Sequence, residues 1–290
     1  MKLLIISLTI LIINFNCYGQ TKKIVGEVRN SKSNLAYVNI GIANKTVGTV
    51  SNAEGFFNLV LNDAVKPNDT VTFSYIGFKT EKYLVSELNK ENNIILLSPE
   101  QMELNEAIVS SNKIKLKVEK TGKDSKELGS PNSNFYSYSG ENVDDRLSKE
   151  NGMKLKINSN CHVKDLNFDI TTNDFASLKF RVNFYKIVND LPTDLIVQKD
   201  IIFEIKDSYL GRFKVDLEPY KIYFKKDIGE VAVSIQWLES IKKDEKSKFF
   251  SISTVAASPV NTAYFRAKAM DTWKKSRQSL SFYLETEFLD

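Results

Sequence analysis

One histidine, His162, occurs in the 290-residue chain, and it stands directly after Cys161. A thiol and an imidazole are the groups of a nucleophile and its base, provided that they reach hydrogen-bond distance of each other. Neighbouring residues of a strand point to opposite faces, so the pair reads as a core cysteine beside a half-buried histidine. A zinc hydrolase site with two histidines and a glutamate on the metal cannot be built from one histidine. A serine triad would have to recruit the same His162, and no G-x-S-x-G elbow is present. Paired carboxylates for glycoside hydrolysis need two acids about 5–9.5 Å apart, and nothing singles out a pair among the 36 acids. The acidic stretch "ENVDDR" (Glu141 to Arg146) lacks the alternating oxygen ligands and glycine of a calcium loop, and reads as solvated. No phosphate-binding or dinucleotide fingerprint occurs. A non-enzymatic protein without cofactor or metal is therefore expected.

Two features suit binding. The first is the outward row Lys179, Arg181, Asn183 and Tyr185 of "SLKFRVNFYKI", which sets donors and an aromatic ring on one sheet face. The second is Trp273 in "DTWKKSR", a ring among polar residues that could stack on a sugar. The plainer readings are an ordinary solvated sheet face and a ring folded over the edge of the fold.

These residues must be positioned by strands. Phe (18) and Tyr (12) are plentiful and suit pleated sheets. The formal charge of +4 is too mild and too dispersed for nucleic acid. At the front, Lys2 precedes the apolar run Leu3 to Phe15, and Gly19 offers a small residue for cleavage. That is the pattern of a signal peptide over residues 1–20. The run falls short of the roughly 20 residues of a membrane span, so an exported protein of the periplasm, outer membrane or cell surface is expected, at most peripheral to a membrane. Cys17 invites lipidation, but Phe15 and Asn16 stand where a lipoprotein signal has small residues, so the unmodified form is preferred. Without that leader Cys161 is the remaining cysteine, and a disulfide framework is excluded.

From Lys23 to Pro99 short strands alternate with turns. Val38, Ile40 and Ile42 share one face, as do Phe57, Leu59 and Leu61, and again Val71, Phe73 and Tyr75. "TVGTVSNAEGFFNLVL" (Thr46 to Leu61) reads as a hairpin whose type I turn has Asn52 first and Gly55 fourth. "VNI" at Val38 to Ile40, Gly48–Thr49, "EGFF" at Glu54 to Phe57 and "SYIGF" at Ser74 to Phe78, in this order, resemble the carboxypeptidase-like regulatory domain. The resemblance implies a transthyretin-like (prealbumin-like) β-sandwich over residues 21–99, an accessory module of exported Gram-negative proteins, and no reaction. "LNEAIVSS" also resembles the junction that follows this module in TonB-dependent transporters, but the 180 residues after Ser110 are too few for their barrel.

Residues 100–134 are polar and lysine-rich and read as a connector with one strand, Glu106 to Ser111. Residues 135–290 are strand-rich again. Leu178, Phe180, Val182 and Phe184 alternate inward, as do Val231, Val233, Ile235 and Trp237, and a last strand runs from Ser279 to Leu289. One buried and one wetter face per strand predicts a larger antiparallel β-sandwich or jelly roll, and an all-β chain overall. The order of these strands is similar to a C-terminal region found behind this module in uncharacterised envelope proteins. The expectation is an exported envelope protein with a binding or structural role, its partner an envelope protein or glycan. A carbohydrate-binding protein is the first alternative and a carboxylate-dependent hydrolase the second.

Overall fold

A computed structural model describes residues 22–100, 117–123, 132–137, 146–255, 259–276 and 278–288. The leader, Cys17, the expected strand Glu106 to Ser111 and residues 141–145 lie outside them. Among the described residues no helix is long and apolar enough to cross a membrane.

The first sandwich uses β1 (Lys23–Arg29), β2 (Asn39–Ile42), β3 (Gly48–Val50), β4 (Phe56–Val60), β5 (Thr70–Ser74), β6 (Glu81–Leu84) and β7 (Asn93–Leu96). They form a three-stranded sheet in the order β4-β1-β7 and a four-stranded sheet in the order β3-β2-β5-β6. Ile24, Val28, Ile40, Phe57, Leu59, Val71 and Phe73 are buried between the sheets, each contributed at period two. The turn at Asn52 forms as expected. Gly55 donates its N–H to the Asn52 carbonyl at 3.0 Å, and the Asn52 side chain accepts from Glu54 and Phe56. Gly55 sits at φ +86°, where a Cβ would be strained. The hairpin reading is corrected, however: β3 and β4 belong to different sheets, and the turn carries the chain across the core.

The second sandwich is antiparallel throughout. Its elements follow as β8 (Val118–Gly122), β9 (Asn132–Ser137), β10 (Glu150–Lys156), β11 (Cys161–Asn173), β12 (Phe175–Val188), β13 (Leu191–Leu195), β14 (Ile201–Lys206) and β15 (Gly211–Asp216). Then come β16 (Ile222–Phe224), β17 (Glu230–Lys242), β18 (Phe249–Val255), β19 (Ala263–Arg266), β20 (Lys274–Lys275), β21 (Ser279–Leu280) and β22 (Tyr283–Phe288). One sheet runs β13-β12-β17-β10-β19-β20, with β14 also on β12; the other runs β21-β18-β11-β22-β8, with β15 and β16 on β11 and β9 on β18. The core between them is aromatic. Phe180 lies 5.2 Å from Trp237 and 5.3 Å from Phe250, centroid to centroid, within the edge-on and offset range that rings prefer.

Two further expectations change. Residues 117–123 are not connector, because β8 pairs with β22 inside the second sandwich, and β9 pairs with β18. The terminal strand is broken at Ser281 and Phe282 into β21 and β22.

Candidate binding cleft between the two sandwiches

Strands β12 and β17 alternate as predicted, and their inner residues form the core. Most of their outer residues are covered, while Lys179 and Glu239 stay partly exposed. Arg181 is 1% exposed, Asn183 3% and Tyr185 4%. The outward row is thus corrected from an open face to a covered one. Two things cover it, the first sandwich and the chain around residues 266–273.

The first sandwich arrives through Tyr37, Asn39 and Tyr75. Tyr37 holds φ +56°, a left-handed conformation costly for a bulky side chain and retained where surrounding contacts enforce it. Its hydroxyl donates to Glu239 at 2.8 Å and accepts from Lys179 at 3.2 Å, and its carbonyl accepts from Arg181 Nη2 at 3.0 Å. Lys179 also reaches Glu239 at 2.9 Å. Arg181 donates Nε to Asp200 at 2.5 Å and Nη1 to Gln236 at 3.3 Å. Gln236 in turn donates to Asn39 at 2.8 Å, and the Tyr75 hydroxyl donates to Asp200 at 2.8 Å. Burial, and then the Asp200 charge, push the Tyr75 phenol up to about 12. Tyr37, Val50 and Leu238 close an apolar patch within this polar frame.

A second hold lies at Gly41 and Gly48, which face each other across β2 and β3. A Cβ on Gly41 would lie 2.3 Å from the Ala269 carbonyl oxygen, and one on Gly48 2.9 Å from it. The backbone of Ala269 therefore nests in a notch that only glycine leaves open. Beside it the Asn44 N–H donates to the Met270 carbonyl, and the Ala269 N–H to the Ser148 hydroxyl.

The far end of the outer face is closed by the second sandwich itself. Glu150, fully buried, accepts from Asn183 at 2.8 Å, from Tyr185 at 3.0 Å and from Ser234 through Oε1, and from Arg266 Nε at 2.8 Å through Oε2. Arg266 is partly buried, yet its pairing with Glu150 outweighs that burial and holds its pKa above the usual value. Trp273, half-buried, lies with its ring centroid 5.5 Å from that of Tyr185 and 4.7 Å from the Arg266 guanidinium carbon. It is the ring folded over the sheet, and it stands apart from the Arg181 end of the row.

Between these holds a cleft of about 180 Å³ remains open. Arg181 and Asn183 border it, with Asn39 and the Ser74–Phe78 bend on the side of the first sandwich and Leu195 and Gln198 on the other. Two of the four row residues thus reach a cavity, while Lys179 and Tyr185 are taken up by neighbouring contacts. Asp200, Glu239, Gln198, Tyr75 and Glu150 carry no sequence pattern that marks them. The notch did leave a signal, since glycine inside a strand announces a close backbone approach.

Cys161 and His162 do not meet. The thiol faces the core, 3% exposed, and burial pushes it up to about 11. The imidazole takes the opposite face, stacked 4.6 Å from Tyr223 with Nδ1 3.9 Å from Glu287. Burial, and then the Lys164 charge, lower its pKa. Among the described residues no three His, Cys, Asp or Glu side chains gather in a way that could hold a metal ion.

Residues 24–109 match the family model of the CarboxypepD_reg-like domain, and the first sandwich is such a domain. The search of curated proteins found no match. Among solved structures, the cysteine protease and lectin-like domains of Cwp84, a surface layer associated protein of Clostridium difficile, align with 93% of this chain and 59% of their own. The identity is 10% and the TM-score 0.37. A structure of infectious bursal disease virus Gx strain aligns with 92% of this chain and 64% of its own, at 10% identity and a TM-score of 0.19. The chain spans less than two thirds of the length of each.

Proposed function

We propose, starting from the CarboxypepD_reg-like domain that heads the chain, that this is an exported, non-enzymatic binding protein of a cell envelope. The observation that carries the reading is the junction itself. A polar network joins the two sandwiches through Tyr37, Arg181, Gln236 and Asp200, and an open cleft is left beside it. Clefts between domains are preferred places for ligands. Three groups that could move protons are held in other work. Tyr75 is pushed up to about 12 and bonded to Asp200, Glu150 is saturated with donors, and the Cys161 thiol is buried and pushed up to about 11. The apolar leader supports export. The accessory domain then serves as one wall of the site.

The test is to express the full chain in a Gram-negative host, fractionate the cells and weigh the product. The expected result is an envelope fraction holding a chain shortened by the leader, which captures envelope glycan or protein without altering it. Retention in the cytoplasm at full length, or turnover of polysaccharide or peptide substrates by the purified protein, would overturn the reading.

A further inference from the structure

The hydrogen-bond partners around the cleft are unevenly used. Asn39 accepts from Gln236 through Oδ1, Asn183 donates to Glu150 through Nδ2, and Gln198 donates to the Leu195 carbonyl through Nε2. The opposite end of each amide, one donor and two acceptors, finds no partner among the described residues. Arg181 has five N–H donors, of which Asp200, Gln236 and the Tyr37 carbonyl take three. The Ser74 hydroxyl, on the same wall, makes no side-chain bond among the described residues. Three amides anchored at one end and open at the other form a preorganised array, since their orientation is already fixed by the protein.

Charge narrows the ligand. The Arg181 guanidinium is matched by Asp200 at 2.5 Å, and Glu100 adds a carboxylate at the border of the cleft. No surplus positive charge is left to draw in a phosphate or a carboxylate. Donors and acceptors interleave instead, which suits hydroxyl groups, because each of them both donates and accepts. The Tyr75 and Phe78 rings, 5.5 Å apart and tilted by 30°, supply an apolar flank for the C–H face of a ring. Size narrows it further: about 180 Å³ lies below the roughly 300–1,000 Å³ of drug-sized sites and admits one ring, not an oligomer along its length.

We infer that the cleft takes a single neutral pyranose residue, held by Asn39, Asn183, Gln198, Arg181 and Ser74 against Tyr75 and Phe78. The inference rests on the binding reading above and assigns its ligand class. It is tested on the two-domain chain, residues 21–290, by saturation-transfer NMR and titration calorimetry. The probes are methyl glycosides of glucose, galactose, mannose and N-acetylglucosamine, with glucuronate and inorganic phosphate as anionic counterparts. At least one neutral glycoside is expected to bind more tightly than either anion. Gln198→Ala and Ser74→Ala, each at unchanged thermal midpoint, are expected to weaken it about fivefold to tenfold, the worth of one net hydrogen bond. Trp273→Ala is expected to leave it unchanged. Preference for an anion, binding that depends on Trp273 but not on Gln198 or Ser74, or no binding of any neutral glycoside would each overturn the assignment. If the same preparation still captures envelope material, the broader reading survives that failure; if it captures nothing, both fall.

Discussion

The two faces of the sheet built on β12 and β17 are buried alike and made of opposite materials. Inward, Phe180, Phe184 and Ile235 exclude water and carry no polar side-chain atom that needs a partner. Outward, Arg181, Asn183, Gln236 and Glu150 are as deeply covered, and each is tied to a polar group, on the second sandwich itself or on the first. Apolar packing tolerates many shapes, whereas a buried charge or amide is stable only opposite its own partner. The inner face holds the sandwich together, and the outer face fixes which surface of the first sandwich sits on it.

The sharpest way to break this comparison is to remove one group from each face. Glu150→Ala leaves the partly buried Arg266 without its counter-charge, and Asn183, Tyr185 and Ser234 without their acceptor, and is expected to cost about 3 kcal/mol. Trp237→Ala opens a cavity in the aromatic core and is expected to cost a similar amount, about 3–5 kcal/mol. Denaturant titrations of both variants decide whether the faces are equal; a loss below about 1 kcal/mol for Glu150→Ala would show that the outer network is not what stabilises that side. Glu150→Gln, which keeps the shape, should lose less.

Gly41→Val comes next. Its Cβ meets the Ala269 carbonyl oxygen, so an overpacking penalty of about 1–3 kcal/mol should fall on the junction and not on either core. Calorimetry should then resolve two transitions, and a single unshifted transition would remove the notch from the account.

Alkali provides a graded version of the same test. The Tyr75 phenol ionises at about 12 in the folded chain, against an ordinary value near 10. A raised folded value means that its contribution is complete below pH 10 and lost as the pH climbs from 10 through 12. Tyr37 is raised too, by burial first and its bond to Glu239 second, so it acts in the same sense. Domain separation followed by small-angle scattering should rise across that window, and Tyr75→Phe should flatten it.

The smallest effect is expected in acid. The Lys275 and Lys154 ammonium groups hold the Asp190 carboxyl down to about 2. Its contribution is present above about pH 4, the unfolded value, and fades as the pH falls through 2. The Asp190 side chain is about half exposed, so Asp190→Asn should change the acid midpoint only slightly, and less at high salt.

Legibility followed the same division. The inner residues of β12 and β17 could be read directly, because period-two burial is a local pattern. The Asn52–Gly55 turn was equally plain for its chemistry, although its role in carrying the chain from one sheet to the other was not. Strand β10 escaped notice because both of its faces are covered: buried Gly152 and Lys154 interrupt any alternation, and Glu150 looks like a surface acid. The cleft was invisible for a different reason. Arg181 gives no sign that Tyr37 and Asp200 flank it, since the first lies 144 residues away in the chain.

The seat of Ala269 between Gly41 and Gly48 also orders events in time. The notch belongs to β2 and β3, and the backbone that fills it follows more than two hundred residues later in the chain. During synthesis the strands of the leading sandwich emerge early, and the groove stays vacant until the chain around Ala269 has followed. A premature stop just before Ala269 would therefore leave this notch unfilled while the contacts of Tyr37, Asn39 and Tyr75 could still form.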